Sequence, residues 1–134
     1  AMTNFELQEY VLKFISELRT FNDQKRTEDR LATDKLWREK INASKEKQQD
    51  MWQKEQSEYT ARHMRVESEY NARFRGTALS LRDELRKRIP GIAKSIESDR
   101  RQQVLLDHGM FAGPDPIGEA ADYLDQLARG LPVN

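Results

Sequence analysis

Apolar positions along this chain follow helical spacing wherever they follow any. Residues 4–22 place Leu7, Val11, Phe14, Leu18 and Phe21 at alternating steps of four and three, with Tyr10 and Ile15 widening the stripe. That spacing puts one broad apolar face on an amphipathic helix, the N-terminal packing face. Thr3 with Glu6 three residues on predicts a capping box at its start. The next stretch, 23–34, is polar and contains neither Gly nor Pro. It reads as a connector or as a continuation of the helix, and a turn near Asn22-Asp23 stays open because both side chains compete for local backbone hydrogen bonds.

Residues 35–89 are read as one long helix. A seven-residue step from Trp52 soon reaches Arg73, Ser80 and Lys87, so heptads fail. An eleven-residue step does better: spacings of 4, 3 and 4 from Trp37 visit Ile41, Trp52, Tyr59, Val66, Tyr70, Phe74, Leu81 and Leu85. The same stripe also passes the polar Ser44, Gln48, Glu55 and His63. Eleven-residue periodicity corresponds to a nearly straight or slightly right-handed coiled coil. A long helix with a narrow stripe is stable only when the stripe is packed. The expected fold class is therefore all-α: a long coiled-coil helix, a short N-terminal helix and further helices after Pro90. The seam Trp37, Ile41, Trp52, Tyr59, Val66, Tyr70, Phe74, Leu81 and Leu85 predicts a homodimer, with parallel and antiparallel pairing equally compatible.

Pro90-Gly91 interrupts the helix. Residues 90–134 read as a helical hairpin, its first helix capped at His108-Gly109 and its second starting at Asp115-Pro116 and ending before Gly130. The loop between them carries Met110 and Phe111, a candidate partner-binding hook. No strand pattern appears.

Composition sharpens this picture. Charged residues make up 34% and apolar ones 37% of the 134 residues, too charged and too little apolar to fill a large globular core easily. There is no cysteine, which excludes disulfides, thiol catalysis and cysteine-ligated zinc. With no apolar signal segment and no run long enough to span a bilayer, a cytoplasmic location is expected. Ala1 precedes Met2, and Met2 is read as the native start.

The zero net charge conceals a split. Residues 72–101 hold nine basic and four acidic side chains, whereas 107–134 hold five acidic and one basic. One consequence is an acidic tail folded onto the basic helix. The other is an anion-binding patch of Arg82, Arg86, Lys87, Arg88, Arg100 and Arg101, facing phosphates of an anionic membrane or of nucleic acid. The patch lacks neighbouring aromatics for base stacking and matches no nucleic-acid-binding motif.

No catalytic or metal-binding constellation is present. His63 lies on the stripe and reads as a half-buried seam residue; His108 suits a helix C-terminus. Helical di-metal motifs, phosphate loops and nucleophile elbows are absent. Asn42-Ala43-Ser44 matches a glycosylation sequon and is read as chance. The expectation is a protein without enzymatic activity, cofactor or small-molecule substrate: an oligomerisation and scaffold module binding itself and another protein. The alternative is an elongated dimer that binds anionic membrane in the manner of BAR-like modules, or nucleic-acid phosphates, through the basic 72–101 face.

Overall fold

The computed structural model describes residues 1–92, 96, 99–109 and 113–133. Helix α1 spans Asn4–Ile41. Thr3 caps it, its hydroxyl accepting from the Glu6 backbone N–H at 3.1 Å. A second rod follows in three continuous parts: α2 (Lys45–Tyr70), a π-helical turn (Asn71–Arg75) and α3 (Gly76–Arg88), together 44 residues. Helix α4 spans Asp99–His108 and α5 spans Pro116–Arg129. The described residues contain no strand.

Of the two alternatives for the polar 23–34 stretch, the structure has the helix continuation, so α1 runs twice the length of the 4–22 stretch. One expectation changes. The helix read across 35–89 is broken at residues 42–44, where the chain reverses. The break is built from polar caps. Asn42 closes α1, and Ser44 caps α2 by accepting from the Lys47 N–H. Gln48 Nε2 donates to the carbonyls of Lys40 and Ala43, both at 3.1 Å, satisfying acceptors that the end of α1 leaves open. The tripeptide Asn42-Ala43-Ser44, which matches a glycosylation sequon, supplies both cap residues of this break.

Because α1 turns back, it lies antiparallel to the rod. Its N-terminal half buries Leu7, Val11, Phe14, Ile15, Leu18 and Phe21 against Tyr70, Phe74, Ala78, Leu81 and Leu85. Phe74 sits between rings, 5.1 Å from Phe21 and 6.0 Å from Phe14 in edge-on contact. Helix α5 closes this end with Ile117, Ala120, Ala121, Tyr123, Leu124 and Leu127, and α4 adds Leu106. The result is a four-helix head. Beyond Arg26, which still reaches Asp115, α1 and α2 continue as a two-helix stalk among the described residues, ending at residues 42–44.

The π turn shifts the rod's phase. Stripe position Thr77 is only half-buried, while its neighbour Ala78 is fully buried. An extra residue in one wide helical turn accounts for such a slip. The end of α4 docks at this turn. Gly109 adopts a left-handed φ of 60° and is buried. A Cβ there would overlap the Asn71 side chain and press on Arg75. Gly109→Ala is expected to destabilise the head by roughly 1–3 kcal/mol, from backbone strain and displacement of Asn71. Chemical denaturation measures it; a loss under a few tenths would show that the contact gives way freely.

Tyr70 supplies a pH-dependent term. Its hydroxyl is buried and has no hydrogen-bond partner among the described residues. Burial pushes its pKa up to about 12, despite the nearby Arg75 charge. The folded state thus holds the proton more tightly than the unfolded chain, whose tyrosine titrates near 10. Its contribution is present below about pH 10 and is lost as pH rises towards 12. Tyr70→Phe should be at least as stable at neutral pH, since it removes an orphaned polar group. Its stability should also fall less than wild type between those pH values. Parallel alkaline denaturation curves for the two proteins would refute the assignment.

Candidate functional site

Four of the six charged residues that the sequence groups as one anion patch, Arg82, Arg86, Arg88 and Arg101, are engaged by the chain itself. Arg82 is buried and donates to Asp107 Oδ1 at 2.5 Å and to Asp83 Oδ1 at 3.0 Å. Desolvation would lower its pKa, but the Asp107 and Asp83 hydrogen bonds and charges outweigh burial and raise it. Arg86 donates to the Tyr123 hydroxyl at 2.6 Å. Arg88 holds Glu84 at 2.8 Å and ties down the chain start through the Met2 carbonyl and Asn4 Oδ1. Arg101 pairs with Glu119 at 3.2 Å. Lys87 and Arg100 remain exposed. The acidic tail does fold back, and much of it meets α1: Arg19 holds Asp122 at 2.7 Å, and Arg26 lies 3.7 Å from Asp115.

The expected dimer seam divides into two fates. Tyr70, Phe74, Leu81 and Leu85 are buried in the head and Val66 packs against it, so the chain's own helices cover that part of the stripe. A second chain cannot use those positions in this fold. The difference arises because the Leu7–Phe21 face of α1, together with the last helix, folds back onto this part of the rod and covers it within one chain. Trp37, Ile41, Trp52 and Tyr59 are instead more than half exposed on the stalk. Leu7, Val11, Phe14, Leu18 and Phe21 are all buried. Met110 and Phe111 lie outside the described residues.

The stalk tip is an ordered aromatic arrangement. Lys40 is only 5% exposed although it lies two residues from the chain reversal. Its ammonium forms an ion pair with Glu55 and sits over two indole rings, 3.1 Å from the Trp52 centroid and 5.5 Å from that of Trp37. The cation thereby clamps α1 to α2 and holds both tryptophans on one face. Sequence reading placed both Trp residues on one stripe of one helix. In the structure they are on facing helices, and Lys40, which carried no periodicity signal, joins them. Removing the clamp with Lys40→Ala should free both rings and leave Glu55 unpaired. The expected results are a changed tryptophan emission and a loss of roughly 1–2 kcal/mol. Unchanged emission would contradict the cage.

Between tip and head, a cleft of about 270 Å³ opens where α5 begins. Asn22, Arg26, Tyr59, His63 and the 113–116 segment are among its walls. Tyr59 and His63 stack at 5.8 Å between ring centroids. Four of the cleft's basic side chains face four carboxylates. Lys25 reaches Glu69 at 3.2 Å, and Arg62 reaches Asp29 at 3.0 Å. Asn22 Nδ2 donates to Asp115 Oδ1 at 2.6 Å, and that carboxylate also caps α5. The first two pairs tie α1 to α2, and Asn22 with Arg26 fixes the start of α5 on α1 through Asp115.

Among the described residues no group of three His, Asp or Glu is arranged to hold a metal ion. Nor, among them, is any helix long and apolar enough to cross a membrane. No protein-family model, curated protein or solved structure matches the chain.

Proposed function

We propose that this chain is a non-enzymatic helical scaffold module that self-associates through its stalk and presents the assembled particle to another protein. One observation carries the reading: Trp37, Ile41, Trp52 and Tyr59 are large apolar side chains, each more than half exposed, on the part of the hairpin that its own helices leave uncovered. Scattered single exposed apolar residues need no explanation, but a grouped aromatic face marks an interaction surface. Tryptophan and tyrosine anchors dominate such surfaces energetically. The head contributes rigidity and fixes the direction in which the stalk projects. The absence of cysteine suits work in a reducing compartment such as the cytoplasm.

The basic-face alternative draws less support. Arg82, Arg86, Arg88 and Arg101 already hold intrachain partners. Recruiting them to lipid or nucleic-acid phosphates would break bonds that tie α4, α5 and the chain start to the rod.

Light scattering across a wide concentration range tests the proposal. The expected mass rises from near 15.7 kDa towards twice that value. A mass fixed at 15.7 kDa up to high micromolar concentration would sink self-association.

A further inference from the structure

The stalk's open groove continues the one that α5 fills in the head. Along α1, three residues meet α5 and its cap in succession: Gln8 donates to the Ala128 carbonyl at 3.1 Å, Arg19 pairs with Asp122, and Arg26 faces Asp115. These positions are spaced by 11 and 7 residues, whole numbers of helical turns, so they lie on one face. Trp37 is another 11 residues on. It occupies the position that α5 would cover if it were three turns longer. On the facing helix Tyr59 lines the cleft where α5 starts, and Trp52 lies two turns closer to the tip on the same face.

We infer that a second copy of this chain fills the groove, packing its stalk antiparallel so that two hairpins make a four-helix stalk. The inference rests on the scaffold reading above and assigns its geometry. Two observations, and the symmetry that they permit, select the occupant. A two-helix hairpin is one layer short of the packing that its own head achieves, and a second hairpin supplies that layer. Residues 31–60 carry six basic and six acidic side chains, a neutral mixture that suits its own copy better than a strongly charged partner. A twofold axis at the middle of the groove makes the surface self-complementary, each tip lying against the other's cleft.

The same geometry selects direction. In the head, α5 lies on the face that carries the groove. Parallel stalks would bring two such layers together, each about 10 Å thick, and hold the grooves apart. Antiparallel stalks place each head beyond the other's tip. The uncovered groove from Arg26 to Ile41 is about 24 Å long, and two helices wide it presents roughly 500 Å². That is a small interface, so the dimer should form in the micromolar range.

Small-angle X-ray scattering on the full chain, at concentrations where light scattering gives a dimeric mass, tests the geometry. The rod alone is about 66 Å long, so an antiparallel dimer should have a maximum dimension of roughly 110 Å. A dimer of about 70 Å would mean parallel stalks or head contacts; it would overturn this pairing and leave self-association standing. A monomer at every concentration would overturn both. Trp37→Glu, at an exposed position, should weaken the dimer by roughly 10-fold or more while the chain stays folded; an unchanged dissociation constant in that variant would also contradict the assignment.

Discussion

Phe74→Ala should cost about 3–5 kcal/mol of folding free energy, the usual range for deleting a buried phenylalanine. Three features place it at the upper end of that range. Phe74 is only 4% exposed. It contacts Phe14 and Phe21 of α1 edge-on and Tyr70 of its own rod, so one deletion unpacks three rings. It also lies in the π turn, where backbone relaxation into the cavity would disturb the Asn71–Gly109 packing. Since a domain of this size has only about 5–15 kcal/mol in total, the variant would sit near its unfolding threshold. The melting temperature read by circular dichroism should fall by roughly 10–20 °C. A fall of only a few degrees would mean that α1 is not held to the rod through this cluster.

Charge placed on the stalk should have the opposite profile. Trp37→Glu combined with Trp52→Glu removes the rings over which Lys40 sits, so the melting temperature should fall only by the several degrees that about 1–2 kcal/mol represents, far less than for Phe74→Ala. Self-association should nonetheless weaken by at least about 30-fold, since loss of a central tryptophan anchor typically removes 2 kcal/mol or more. Sedimentation equilibrium of the two proteins reads that ratio. An unchanged dissociation constant would move the interface off the stalk.

Much of the architecture is written in local pattern. The five-residue face from Leu7 to Phe21, the cap at Thr3, the bend at Pro90-Gly91 and the start of α5 at Asp115-Pro116 all follow from spacing and cap chemistry, and the structure has each of them. The chain reversal was less legible. Asn42 and Ser44 act through backbone caps that leave hydrophobic periodicity intact, and Gln48 completes the turn from outside it. A stripe running smoothly through 37–52 therefore concealed a fold-back. The polar 23–34 stretch was ambiguous for the converse reason. Its helix is held by tertiary ion pairs such as Lys25–Glu69 and Arg62–Asp29, between residues 44 and 33 positions apart, which no local window contains. The candidate face was half legible. The stripe named Trp37, Ile41, Trp52 and Tyr59 correctly as apolar positions on a helix. Which of its members a partner could reach depended on where α1 and α5 lie. Lys40 had no signal at all, since a lysine beside a tryptophan gains its role only when a second tryptophan arrives from the returning helix.

The central claim is that a single chain folds back at residues 42–44, bringing its first helix alongside the end of the rod. Arg88 Nη1 donates to the Met2 carbonyl at 2.8 Å, so the two ends of this hairpin touch. The chain has no cysteine, so cysteines placed at exposed Phe5 and Lys87 would carry the only two spin labels. Double electron–electron resonance, on labelled protein diluted into excess unlabelled protein, isolates the distance within one chain. The fold-back predicts about 10–25 Å, the separation across neighbouring helices plus label arms. A chain that stays extended through 42–44 would place these positions roughly 120 Å apart, and loss of the short distance on dilution would contradict the account.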